Sequence, residues 1–433
     1  MKKVLTLILS IALLAGCFSV PAFAQANGNV TLTVWHTWGA GPGLDAMNEI
    51  ATKFNDTIGK EKGITVNVDY VASKTSGNTQ TMEKLMAAIA AGEAPDIALL
   101  DNFQVATWAA QNALTPMDEL MKNAGVSLDG MYDWAKEGSV YQGTTYSIPY
   151  NGDVRALYCN MDMFAAAGLT EKDIPRTIDQ LNEVAQKLTI KDDKGAFTQV
   201  GFIPWAYAGK PIYTWGWAFG GDFYNKDTNA LTVNTPEIIE AVQWEHDFAA
   251  QYGLKEFVEN ATGLLSGSGA TDPFIAGKVA MVIKGNWDIA NIALYNPNMK
   301  YSISYIPTKS EDLVTTWAGG WGYTIPRGAK NQEASMEFLK YVISGEAQNI
   351  QASKGGSLSP VKSINEAAFA GNERYKTILE LIQYAKIRPS VPVGQMLWDN
   401  FNTVLDGVLN EKDTPENLLN NLNESINEEL SNY

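Results

Sequence analysis

The chain predicts an α/β fold built on parallel strands, and three observations predict it. Strand-like and helix-like stretches alternate from residue 30 to residue 101. The 433 residues suffice for two separately packed domains. Hydrophobic residues make up 45% of the chain, which excludes a disordered polymer.

The elements follow in order. Val30 to Val34 alternates and is β-rich, a first strand that runs into the Gly-rich turn Trp35 to Gly43. Leu44 to Ile58 has helical spacing, Ile64 to Val71 reads as a second strand, and Thr79 to Ala91 as a helix stopped by Gly92. Asp96 to Leu100 is a short buried strand. In open parallel sheets ligands bind outside the carboxyl ends of strands. Those ends here carry His36, Thr37 and Trp38, then Ser73 to Thr75, then Asp101 and Asn102.

Farther along, Tyr141 to Tyr150 resembles a hairpin and Val154 to Tyr158 a short strand. Thr177 caps a helix to Leu188 with Gln180 completing a capping box. Thr235-Pro236 opens another helix, to about Tyr252. Asp272 to Gly277 reads as a short helix, and Val279 to Ile283 as a strand delivering Lys284, Gly285, Asn286 and Trp287. Tyr301 to Ile306 is a strand, Trp317 to Tyr323 a second Trp-Gly element, and Ala334 to Ser344 a helix. The tail, Asn417 to Asn432, reads as a polar amphipathic helix with a charged, solvated face. No linker-like segment interrupts the chain, so two domains would be joined by crossing strands.

One stretch stands apart. Phe202 to Tyr224 holds Trp205, Trp215 and Trp217 with three tyrosines and three phenylalanines, broken by Pro204, Pro211 and several glycines. Prolines and glycines in that number argue against a regular element, which leaves rings on irregular backbone as a flat, partly wet surface. The plain alternative is a core behind a loop. Sugar rings, with apolar C–H faces and hydroxyl rims, suit aromatic platforms edged with carboxylates such as Asp222 and with amides.

Charge narrows the partners. A formal charge of −16 and a pI near 4.7 make nucleic acid and anionic membranes poor ones. Lys2 and Lys3 before the apolar run Val4 to Gly16 form an export signal too short for a membrane span, and residues 1–24 lie outside the fold. Two processing routes compete. Leu14 to Cys17 resembles a lipobox that would place a lipid on Cys17, whereas Pro21 to Ala24 is a small-x-small cleavage site. With only Cys17 and Cys159 there is no disulfide framework, and Cys159 is expected to be a buried structural thiol.

Catalytic signatures are sparse. A glycoside hydrolase needs two carboxylates at fixed separation, and no pair among Asp101, Asp153, Asp222 and Asp272 stands out. There is no G-x-S-x-G elbow, and Gly39 to Gly43 lacks the G-K-[ST] of a P-loop. The two histidines, His36 and His246, are isolated, and no cluster suggests a metal, so neither metal nor cofactor is expected. An aromatic cage for a quaternary amine remains open, although Asn102, Asn151, Asn286 and Tyr150 suit directional pairing with hydroxyls.

The order of the segments resembles the extracellular solute-binding proteins of bacterial ABC importers, family 1, the sugar-binding class. Matching pieces are Val34 to Trp38, Phe54-Asn55, Gly92 to Ile97, Leu114 to Leu120, Ile148 to Asn151, Leu157 to Phe164 and Ala167 to Leu169. Phe274 to Met281, Gly285 to Trp287 and Gly319 to Gly322 complete them, so that the similarity covers residues 30 to 425. The resemblance implies a two-lobed periplasmic-binding-protein-like fold, a mixed α/β sheet in each lobe, hinged by crossover strands near Val154–Asn160, Tyr301–Pro307 and Leu358–Ser363. Lobe 1 would comprise 30–153 plus 308–358, and lobe 2 would comprise 154–307 plus 359–433. The resemblance also implies ligand contacts at His36, Trp38, Asp101, Asn102, Tyr150, Asn151 and Asp153, and from the second lobe at Trp205, Trp215, Trp217, Asn286 and Trp287. Gly319, Gly320 and Trp321 would close the cleft, with Arg388 and Trp398 as further candidates. Some members take phosphate esters, which want a dense cationic site. Only Lys74, Lys284 and Arg388 fall near the candidates, which favours a neutral mono- or oligosaccharide. The implied partners are that carbohydrate and an ABC permease in the membrane, and the chain is expected to be a monomer.

Overall fold

The computed structural model describes residues 29–72, 74–76, 79–81, 83–206, 210–264 and 267–433. The leader, both processing sites, Cys17 and Ser73 lie outside the described residues.

One sheet runs through the molecule. Its eight strands are β1 (Val30–His36), β2 (Ile64–Tyr70), β3 (Ile97–Asp101), β4 (Ile148–Asn160), β5 (Met281–Gly285), β6 (Tyr301–Ser304), β7 (Thr316–Thr324) and β8 (Ala385–Ile387). The main path is β5-β4-β7-β3-β1-β2, with β6 also on β4 and β8 also on β7. The first part is parallel as expected, β1 pairing with β2 from Val30↔Ile64 to His36↔Tyr70 and with β3 at Val34↔Ile97. The rest is mixed, because β7 runs antiparallel to both β3 and β4. In place of the short strand expected at Val154 to Tyr158, β4 extends over 13 residues. Its first half pairs with β7 and its second half with β5 and β6.

Apolar residues collect separately along this sheet. One core gathers Leu32, Val34, Val66, Ile97 and Leu99 with Met47, Ile50 and Phe54 of helix α1 (Pro42–Phe54). Another surrounds the second half of β4 and β5, from Val154 to Cys159 and from Val279 to Ile283. A third packs three helices together: α2 (Pro211–Ala218), α3 (Pro236–Ala250) and α4 (Gly394–Leu409). Cys159 is fully buried in the second core, where burial pushes its thiol well up.

Three local expectations are corrected. Residues 79–81 are a strand, and the helix begins at Glu83. Asp272 to Gly277 is a series of turns, in which Asp272 accepts from Phe274 N and Ile275 N. The C-terminal helix (Pro415–Leu430) is amphipathic as expected, burying Leu419, Leu422, Ile426 and Leu430 and exposing its polar face. The third correction is the aromatic stretch. Pro211 starts α2 at its N1 position, where no amide hydrogen is needed, and all eight residues of α2 are buried. A short helix without a polar face belongs inside a core, so these rings are packing rather than platform.

Candidate functional site

The carboxyl edge of the sheet assembles the site. Register places Trp321 of β7 opposite both Asp101 of β3 and Asn151 of β4, and Gly319 opposite Asp153. Glycines on β7 let neighbouring side chains lie flat against the strand. A Cβ at Gly319 would stand 2.7 Å from Asp153 Oδ1, and one at Gly322 would stand 2.9 Å from Asn102 Oδ1 and 2.0 Å from Ser147 Oγ. Gly319→Ala therefore displaces the Asp153 carboxylate. We expect the variant to keep the parent's far-ultraviolet circular dichroism while losing about tenfold in ligand affinity by calorimetry, the cost of one misplaced charge-assisted contact. Parental affinity would remove Asp153 from the site.

Two arginines occupy this edge, each held by a carboxylate. Arg388 donates from Nη2 to Asp101 Oδ1 at 2.7 Å, and its guanidinium lies 4.1 Å from the Phe103 ring centroid. Arg155 pairs with Asp153 and lies between two indoles, 3.7 Å from the Trp317 centroid and 5.0 Å from that of Trp287. Burial, and then the neighbouring charge of Arg388, lower Arg155 to about 9, with Asp101 opposing the shift. The Arg155 guanidinium thus stays charged at neutral pH. Asp153 also accepts from Gly319 N at 3.0 Å, fixing the strand beside it.

A small cavity of about 20 Å³ lies in this cluster, lined by Asn102, Phe103, Trp134, Gly138, Ala318, Gly319, Ile387, Arg388 and Ser390. Four of these residues carry a buried polar atom without a hydrogen-bond partner among the described residues: Asn102 Oδ1, Trp134 Nε1, Arg388 Nε and Ser390 Oγ. Buried polar atoms are rarely left unpaired, and a void of about 20 Å³ has room for roughly one water molecule among these four.

The expected site residues divide into two groups. Asp101, Asn102, Asp153, Gly319, Gly320, Trp321, Trp287 and Arg388 come together at or beside the cavity. Trp38 and Trp321, both half-buried, meet edge to face at 5.6 Å beside them. The others do not present their side chains there. His36 is 1% exposed, its Nδ1 accepts from Trp38 N at 3.1 Å, and burial lowers its pKa. Tyr150 is fully buried behind Trp38, with its hydroxyl on Gln351. Asn151 accepts from Trp321 N at 3.0 Å and reaches Ser357 Oγ at 3.3 Å, orienting the strand. Asn286 is 0% exposed, accepting from Val154 N at 3.0 Å and donating to Gly356 O at 2.9 Å, so that both ends of its amide are spent on backbone. Trp215 is sealed in a core with its indole N–H on Pro204 O. Trp217 and Trp398 are buried behind Trp317, at 6.3 and 6.5 Å, and Trp205 packs edge-on against Phe257. These placements have two causes: apolar neighbours draw the indoles inward, while His36, Asn151 and Asn286 are held by backbone partners.

Reading the sequence missed Arg155, Phe103, Trp134 and Trp317. Trp317 was visible in the second Trp-Gly element, and Phe103 stands beside two candidates. Arg155, the one charge between Val154 and Cys159, was the signal overlooked.

The remaining candidate carboxylates are paired with lysines. Asp272 and Asp288 both pair with Lys284 at 3.0 Å, and exposed Asp222 reaches Lys386 at 3.7 Å. Among the described residues no group of three or more His, Cys, Asp or Glu could hold a metal ion, and no helix is long and apolar enough to cross a membrane.

A two-lobed α/β fold with polar and aromatic side chains gathered where the strands end defines a ligand-binding protein. The chain belongs to the bacterial extracellular solute-binding protein family, whose model matches residues 40–349. It is an exported protein by that membership. It is 24% identical over 359 residues to the diacetylchitobiose-binding protein DasA of Streptomyces coelicolor, covering 81% of this chain and 78% of the relative. It is 21% identical to a maltotriose-binding protein of Pyrococcus abyssi, covering 76% of this chain and 68% of that one. Among solved structures, CpMnBP1 with mannobiose bound superposes with a TM-score of 0.80 at 27% identity, covering 92% of this chain and all of that one. An ABC transporter solute-binding protein of Thermotoga lettingae bound to α-D-tagatose superposes with a TM-score of 0.75 at 25% identity, covering 93% and 100%.

Proposed function

We infer that the protein is the sugar-capturing component of an ABC importer, taking a neutral mono- or oligosaccharide between its lobes and passing it to a membrane permease. The observation that carries this reading is the aromatic and ion-paired cluster beside β3, β4 and β7, where Trp38 meets Trp321 and Arg155, paired with Asp153, lies against Trp317 and Trp287. A saccharide offers hydroxyls that donate to Asn102 and accept from Trp134 and Arg388, and apolar faces that stack. The ion pairs Asp101–Arg388 and Asp153–Arg155 leave these four side chains with no net charge, which suits a neutral ligand better than a phosphate ester. Relatives and neighbours that bind saccharides support the same class.

The lobes are taken as 30–153 plus 308–358 and 154–307 plus 359–433. Each core described above is drawn mainly from one of these sets, and the reciprocal bonds between Gly152 and Leu358 tie the crossing segments together. Ligand contact with both sets favours the closed arrangement. The protein acts as a monomer, with the leader removed either before a lipid-bearing Cys17 or after Ala24. It releases its sugar unhydrolysed, because each candidate carboxylate is engaged by a cation, the reverse of the apolar surroundings that ready a general acid.

A thermal-shift screen of mono- and oligosaccharides, with choline and glycerol phosphate as contrasts, tests the class. Saccharides alone should raise the melting temperature, and overnight incubation should leave them uncleaved. A shift with glycerol phosphate or choline only would overturn the reading. Trp287→Ala should then weaken binding of the best saccharide by about 1–3 kcal/mol, the burial of one large ring. Unchanged calorimetric affinity would take Trp287 out of the site.

A further inference from the structure

Away from the cavity, a second set of polar contacts joins the same two lobes. Gln104, 1% exposed and just beyond the carboxyl end of β3, donates from Nε2 to Gln395 Oε1 at 2.9 Å. Gln395, in the first turn of α4, donates in turn from Nε2 to both carboxylate oxygens of Asp399 at 3.1 Å. One turn along the same helix, Trp398 meets Phe103 at 5.4 Å between ring centroids. Lys210, also buried, holds its ammonium 4.9 Å from the Trp398 ring and faces Asp399 as its opposite charge. Gln104, Gln395 and Asp399 do not line the cavity.

Resting on the two-lobe reading above, we propose that the Gln104–Gln395–Asp399 relay is a latch that holds the lobes closed independently of the sugar. The geometry fits a contact made only on closure. Gln104 comes from the segment after β3, and α4 packs with α2 and α3 on the other lobe. Opening here would also part Phe103 from Trp398, both nearly fully buried, so the amide relay acts beside an aromatic contact that resists opening as well. Asp399 fixes the orientation of the Gln395 amide, presenting its oxygen to Gln104. The latch thereby sets what fraction of the sugar-free protein is closed, and through that fraction the apparent affinity for every ligand alike.

The test is small-angle X-ray scattering of the sugar-free full-length chain. Gln395→Ala should raise the radius of gyration above the parent's, Gln104→Ala should do the same, and the double variant should open no further than either single one. Asn400→Ala, which removes a side chain bonded within the same helix to Met396 O, should leave the curve unchanged. Mannobiose titration supplies a second readout. Where the parent binds it, Gln395→Ala should weaken affinity about tenfold if the closed fraction falls from most molecules to about a tenth. Parent and Gln395→Ala curves that superpose, or a parent already open without sugar, would overturn the latch. Failure of mannobiose to bind bears on the sugar class and leaves the scattering result decisive.

Discussion

Arg388→Met is expected to lose ligand affinity by about 2–5 kcal/mol, roughly thirtyfold at the least. The side chain is 5% exposed, donates to Asp101 at 2.7 Å and lies over the Phe103 ring. Methionine keeps most of the bulk but leaves the Asp101 carboxylate without its cation, in surroundings that penalise a bare charge. It also removes Nε, one of the four unpartnered atoms assigned to the ligand. Arg388→Lys should recover part of the loss, since a lysine restores charge without the planar fork or the stacking face. Calorimetry with the best saccharide from the screen decides the matter, and binding by the Met variant as tight as the parent's would separate Arg388 from recognition.

Lys284→Met carries the largest expected cost in stability. Lys284 is buried and bonds Asp272 and Asp288 at 3.0 Å each, joining β5 to the turns before it and to the helix Asp288–Tyr295 after it. Its loss strands two carboxylates and should destabilise the fold by about 3–5 kcal/mol in urea denaturation. The pH dependence has a definite sign. Burial already raises the Asp288 carboxyl above its ordinary range, with Lys284 opposing that shift. A carboxyl whose pKa is higher folded than unfolded takes its proton more readily when folded. Lowering the pH through that raised value therefore stabilises the fold, and the deficit is greatest above it. The Lys284→Met deficit should accordingly shrink as the pH is lowered from 7. A deficit that grows on acidification, or a variant as stable as the parent, would contradict the triad's role.

Much of the first half of the fold was legible in the sequence. The period of two from Val30 to Val34, the apolar strand at Asp96 to Leu100 and the helical spacing between them specify parallel pairing, and Trp38, Asp101 and Asn102 follow as residues at strand ends. The stretch from Phe202 to Tyr224 was not legible, for a physical reason. An eight-residue helix buried on every side has no polar face, so Pro211 reads equally well as a breaker or as a first-turn residue. Asn286 illustrates a different limit. An amide near a cleft and an amide clamping two backbone segments have the same letter and the same neighbours in the chain. Only the positions of Val154 and Gly356, 132 and 70 residues away, tell them apart.

Strand β4 passes from one pairing partner to the next without a break, and Gly152 lies just before the change. A side chain there would strike Trp134 within 2.1 Å, and the glycine exchanges both of its backbone bonds with Leu358. Two residues on, Val154 N is pinned by Asn286. With this point pressed under an indole and fastened on two sides, the strand cannot fold over like a loose joint. A swing of the proposed lobes would therefore be taken up as torsion along a stiff ribbon rather than as a bend at one residue.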